Sequence, residues 1–229
     1  MKSLRQLLAY KYSTPIALLL VAIWFSAWAL SISVEPASPF GGPDEGLRYL
    51  IPKFIYENGT LPTGYDAATI HSMRNWSYAF YPQFLGPILS AIFMSAVSVF
   101  NNSPDALVYA ARMTSVLFGV LAVYFVGKSA QKLFSANKNA KVAGFVAMIL
   151  FAGWPQVAFL SGYVNNDIIA LSGVSVIIYA CIAGYKDRWN IKNSIVLAIG
   201  FTICLLSYSN SYGFVLFGGV FFLLSLYWQ

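Results

Sequence analysis

Seven apolar runs, each between sixteen and twenty-one residues long, take up most of this chain. They cover about residues 14–34, 82–100, 107–127, 142–160, 168–185, 194–209 and 213–228. A helix needs about 20 largely apolar residues to cross the hydrocarbon core of a bilayer. Inside lipid each segment must also satisfy its own backbone, so such runs fold as helices. Composition agrees: of 229 residues 59% are hydrophobic and 10% charged, too few charges to clothe a water-soluble domain. The two cysteines sit in apolar runs, which excludes a disulfide-stapled secreted domain.

The net charge of +6 acquires meaning only when sorted by loop. Lys2, Arg5 and Lys11 precede the first run, which predicts a cytoplasmic N-terminus. Ala27-Trp28-Ala29 looks like a signal cleavage site, but the run is long for a signal peptide and more follow. If all seven runs cross, residues 128–141, with four lysines, and 186–192, with three bases, fall outside. If the second run does not cross, both segments move inside. Ten of fourteen basic residues then lie in the cytoplasm, with Asp187 as the sole acid there. That arrangement obeys the positive-inside rule throughout. The expected fold is therefore an all-α polytopic membrane protein forming one membrane domain over residues 1–229. It has about six transmembrane helices, plus a non-spanning hydrophobic segment in a long first external loop, residues 35–104.

That loop holds five of the eight acids. Its opening, GGPDEGLRYLIPKFIYENG, reads as a turn followed by a short amphipathic helix. Pro43 suits a helix start, Asp44 and Glu45 suit the positive end, and Asn58-Gly59 suits the stop. Asp44 and Glu45 are thus either capping residues at a membrane surface or the carboxylates of a site. The aromatics from Trp76 to Tyr81 suit a membrane interface. Asp167 follows Asn165 and Asn166 directly before an apolar run, which reads equally as an N-cap cluster or a site acid. Arg112 lies about seven residues into a predicted membrane helix, where an ion needs a partner. Asp105, on the same helical face by the i, i+4, i+7 spacing of Asp105, Tyr109 and Arg112, is one candidate; an anionic lipid phosphate is the other. Arg48, Lys53, His71 and Arg74 are further external bases. There is no P-loop, G-x-G-x-x-G, Cys/His cluster or G-x-S-x-G elbow, and no basic face for nucleic acid.

Three segments carry a resemblance. GGPDEGLRY, after the first membrane helix, resembles the Asp-Glu motif of the GT-C glycosyltransferases. That superfamily includes protein O-mannosyltransferases and aminoarabinose transferases. VYAARMTSVLFGVLAVYFVGKSAQKLF resembles the family's Ala-Arg helix, and Ser161-Gly162-Tyr163 with Asp167 resembles the segment bearing its second external acid. The matches come in family order over about residues 40–175. They imply the N-terminal module of an enzyme that transfers a sugar from a polyprenyl-phosphate-linked donor at the outer face of a bacterial plasma membrane. The acceptor stays open, as does a divalent metal, which would fall to Asp44 and Asp167. On this resemblance Asp44, Glu45 and Asp167 are the catalytic candidates, with one acid of the adjacent pair working while the other caps or pairs. Arg112, Arg48, His71 and Arg74 are the substrate-binding candidates. Readings of another class are a transporter or lipid flippase, or a non-catalytic partner subunit on the same module.

Overall fold

The computed structural model describes residues 12–34, 41–72 and 75–228. Arg74 lies outside them. Among the described residues every regular element is helical, and a lone bridge between His71 and Trp76 is the single extended pairing. The helices are α1 (Ser13–Ser31), α2 (Glu45–Asn58), α3 (Leu85–Ser98), α4 (Pro104–Leu133), α5 (Ala140–Ala152), α6 (Pro155–Leu160), α7 (Asp167–Asp187), α8 (Ile191–Ser207) and α9 (Tyr212–Tyr227).

Four helical stretches are long and apolar enough to cross a membrane: α1, α4, α7, and Ser209–Tyr227, which joins a short 3-10 turn to α9. This marks a multi-pass membrane protein. The pattern of burial fits, since only 11% of the apolar window in α1 is buried against 72% of that in α7. Exposed Leu19, Leu20 and Ile23 of α1, with Leu216, Phe217 and Leu223 of α9, present apolar surface that water would penalise and lipid would not.

Helix α4 runs through the middle, packed against α1, α3, α5 and α7, while α8 and α9 pack on α7. Phe25 of α1, Val123 of α4, and Ile168, Ile169 and Val176 of α7 form the central contact. Small residues permit the closest approaches. A Cβ on Gly144 of α5 would sit 2.9 Å from the Gly127 carbonyl oxygen of α4. Because that obstacle is backbone, Gly144→Leu should cost about 1–3 kcal/mol, read as a lower thermal midpoint in detergent.

Two departures from the hydropathy pattern have clear causes. The run 142–160 is two helices, because Pro155 lacks an N–H and forces Trp154 out of helical conformation, to ψ 120°. The run 107–127 is the core of a 30-residue helix, α4, with Ser103 accepting the Ala106 N–H as its cap and Pro104 at the first position. Its extra length matters for α3. Ser90 Oγ lies 3.1 Å from the Ala111 carbonyl oxygen and 3.0 Å from Thr114 Oγ1. Met94 packs with Ala110 and Ala111. Helix α3 thus lies along the N-terminal half of α4, with Pro87 tolerated in its first turn.

Candidate functional site

Helix α1 ends near Ser31 and leaves carbonyls without helical partners. Arg112 of α4 supplies them. Its Nη1 donates to the Ala29 and Ile32 carbonyls, both at 2.7 Å, and its Nη2 to that of Ser33 at 2.9 Å. The remaining donors form a two-pronged bond with Glu45, Nε to Oε1 at 2.8 Å and Nη2 to Oε2 at 2.7 Å. Glu45 Oε1 also accepts the Val164 N–H at 2.8 Å. All five guanidinium N–H groups are engaged, and the side chain is fully buried. Arg112 therefore has no donor left for a lipid phosphate. Nor does it pair with Asp105, which is exposed; the partner comes from α2, while Tyr109 contributes its ring face 5.4 Å away. The pair joins four parts of the chain: the end of α1, the start of α2, α4 and the turn before α7.

Glu45 is thereby committed to structure, and Asp44 is set differently. Asp44 occupies the N-cap position of α2 without making a side-chain cap bond, and its backbone is left-handed, with φ 55°. Asp tolerates this conformation better than most residues, yet it carries strain of the kind that collects at functional sites. Tyr78 donates its hydroxyl to Asp44 Oδ2 at 3.3 Å. The turn is pinned from behind, because a Cβ on Gly42 would lie 2.4 Å from the Tyr163 ring. Helix α2 ends as its sequence indicates, on Gly59 with φ 66°.

Tyr163 marks where the charges meet. Burial first, then the fields of Asp167, Glu45 and Asp44, push its hydroxyl up to about 12, with Arg48 opposing. Its carbonyl accepts from Ser115 Oγ at 2.6 Å and from Asn165 Nδ2 at 2.7 Å, which fixes the turn between α6 and α7. Asn165 Oδ1 also accepts the Ile168 N–H at 3.0 Å, so Asn165 caps α7. Asp167 is released from that duty. Its carboxylate makes no hydrogen bond or ion pair among the described residues, and it borders a shallow cleft with Tyr208, Asn210 and Phe214.

Beside Tyr163 opens a cavity of about 280 Å³. Arg48, Trp76, Tyr78, Tyr81, Asn166 and Tyr208 are among its walls. Arg48 lies with its guanidinium 4.5 Å from the Tyr78 ring centre and 5.9 Å from that of Tyr208. Its Nη1 is buried and has no hydrogen-bond partner among the described residues. A buried charged donor without an acceptor is rare inside proteins and calls for an explanation. Burial raises the Tyr78 pKa above the ordinary tyrosine value, against the pull of Arg48. The hydroxyl thus stays protonated and able to donate. Gln83 Nε2 donates to Tyr212 Oη at 3.0 Å, which ties the loop before α3 to the start of α9.

No protein family, curated protein or solved structure matches this chain.

The remaining expectations divide. His71 is not part of the cavity wall; its main chain pairs with Trp76, donating to the Trp76 carbonyl at 3.0 Å, and Trp76 is. Among the described residues no group of three or more His, Cys, Asp and Glu side chains converges as a metal cage would. Tyr208, Ser209 and Asn210 line the cavity although sequence reasoning passed over them. The available signal was YSNSY, a polar, aromatic loop on the same side of the bundle as the Asp-Glu pair.

Proposed function

We propose that this chain is a GT-C-like glycosyltransferase module that acts on a polyprenyl-phosphate-linked sugar at the outer face of the membrane. The observation that carries this reading is Arg48, which lines an aromatic cavity and whose buried Nη1 has no hydrogen-bond partner among the described residues, while Tyr78 of the same wall holds Asp44. A phosphodiester supplies the missing acceptor, and the aromatic walls suit a sugar ring and the first part of an apolar chain.

The chemistry follows from the groups present. The acceptor's hydroxyl oxygen forms a bond to the anomeric carbon as the bond from that carbon to the phosphate oxygen breaks. The lipid phosphate leaves with the electron pair, stabilised by Arg48. Asp44 takes the hydroxyl proton, and Tyr78 holds its carboxylate in place. Asp167, uncommitted at the rim, orients the acceptor. Glu45 and Arg112 hold the turn and touch no substrate, and no step runs through a metal.

The same reading sets the topology. Helices α1, α4, α7, α8 and α9 cross, as does α5 continued by α6. Helix α3, at 14 residues too short to cross by itself, does not span and packs on the N-terminal half of α4. Six crossings place the N-terminus and residues 128–141 and 186–192 in the cytoplasm of a bacterial plasma membrane.

Arg48→Gln removes a charged hydrogen bond of about 1.5–3 kcal/mol. Binding of undecaprenyl phosphate, measured in detergent, should weaken roughly ten- to a hundredfold. Unchanged affinity in a folded variant would remove the basis for this site.

A further inference from the structure

The end of the bundle opposite the cavity has a second feature, independent of the glycosyltransferase reading. Residues 128–141 and 186–192 carry seven lysines and arginines against one acid, Asp187. Asp187 is neutralised by an ion pair with Lys132. Lys186 donates to the Leu133 carbonyl at 2.6 Å, which uses one of three ammonium donors. The two segments meet here, and six basic residues remain without an acidic counterpart.

Beside them a groove of about 470 Å³ runs between α7 and α9. Ile178 and Ile182 of α7, Phe217 and Phe221 of α9, and Leu133 of α4 line it, with the stem of Lys186 at one end. The groove opens sideways, toward the surface that α9 presents to lipid: Phe217 is 58% and Ile178 42% exposed. An apolar slot that faces the bilayer selects an acyl chain. A lysine whose stem lies in the slot and whose ammonium stands at its mouth selects the phosphate above that chain. The excess of positive charge around it prefers a lipid of net negative charge to a zwitterionic one.

We infer that this groove is a binding site for an anionic phospholipid of the leaflet at the basic end, with one acyl chain between α7 and α9 and its phosphate on Lys186. Basic pockets between membrane helices on this side are the usual seats of such headgroups.

The full chain in neutral detergent, mixed with equal amounts of phosphatidylglycerol and phosphatidylcholine of the same acyl chains, provides the test by native mass spectrometry. Phosphatidylglycerol adducts should exceed phosphatidylcholine adducts by roughly fivefold, the selectivity of about one basic side chain. Lys186→Gln, at an exposed position, should reduce the preference while leaving residual binding of both lipids. Ile182→Trp, which fills the groove, should reduce binding of both, and Phe217→Trp, at the rim, repeats that test if Ile182→Trp does not fold. Equal occupancy by the two lipids in the unmodified chain overturns the site. So does a preference that Lys186→Gln leaves unchanged, or binding that the groove-filling variants leave unchanged. None of these outcomes depends on sugar transfer or on Arg48.

Discussion

Replacing Arg112 with methionine should cost about 3–5 kcal/mol of stability, the usual effect of stranding one partner of a buried ion pair. Glu45 would keep a buried charge with only the Val164 N–H for company, and the Ala29, Ile32 and Ser33 carbonyls would lose their donor. Thermal unfolding in detergent reads this directly. Arg112→Lys should rescue little, because an ammonium has three donors where the guanidinium uses five, and it cannot form the two-pronged bond. Glu45→Gln combined with Arg112→Met should be more stable than Arg112→Met alone, since the stranded charge is gone. If the two single variants instead unfold at the unmodified temperature, the Arg112–Glu45 hub does not hold this end of the bundle together.

Asp44→Asn should lower sugar transfer by roughly 10²–10⁴-fold, the range for loss of a general base, while the melting temperature stays near that of the unmodified protein. Asparagine adopts the left-handed backbone at position 44 about as readily as aspartate, so the turn survives. It can also still accept the Tyr78 hydroxyl. The assay requires a lipid-linked sugar donor and a form of the protein that transfers it. Transfer at the unmodified rate in Asp44→Asn would end the catalytic assignment. A matching fall in stability would instead recast Asp44 as a structural turn residue.

Sequence alone made some of this legible. Apolar runs located α1, α4 and α7 because long membrane helices announce themselves by length. Counting charge by loop singled out the run that becomes α3, a helix of 14 residues that is shorter than the four candidate spans. The break at Trp154-Pro155 was hidden inside an apolar run that hydropathy reads as continuous. Arg112 shows the sharper limit. Helical spacing offered Asp105 as its partner, but spacing speaks only of residues on one helix, and Glu45 is 67 positions away. The angle between adjacent helical positions predicts that one of Asp44 and Glu45 works while the other caps or pairs. That the pairing acid is Glu45 depended on where α4 delivered the arginine. The Tyr208–Asn210 wall had no signature beyond polarity, because a loop joining two membrane helices is polar whether or not it lines a site.

The hub also sets an order of events during synthesis. Glu45 emerges before Arg112, and Arg112 before Val164, so the carboxylate stays in water until α4 enters the membrane. The start of α2 cannot dock before then. Its final bond waits for residues 161–166 to fold over the end of α1. This end of the bundle is therefore assembled late, as a single closure drawing on four segments made at different times.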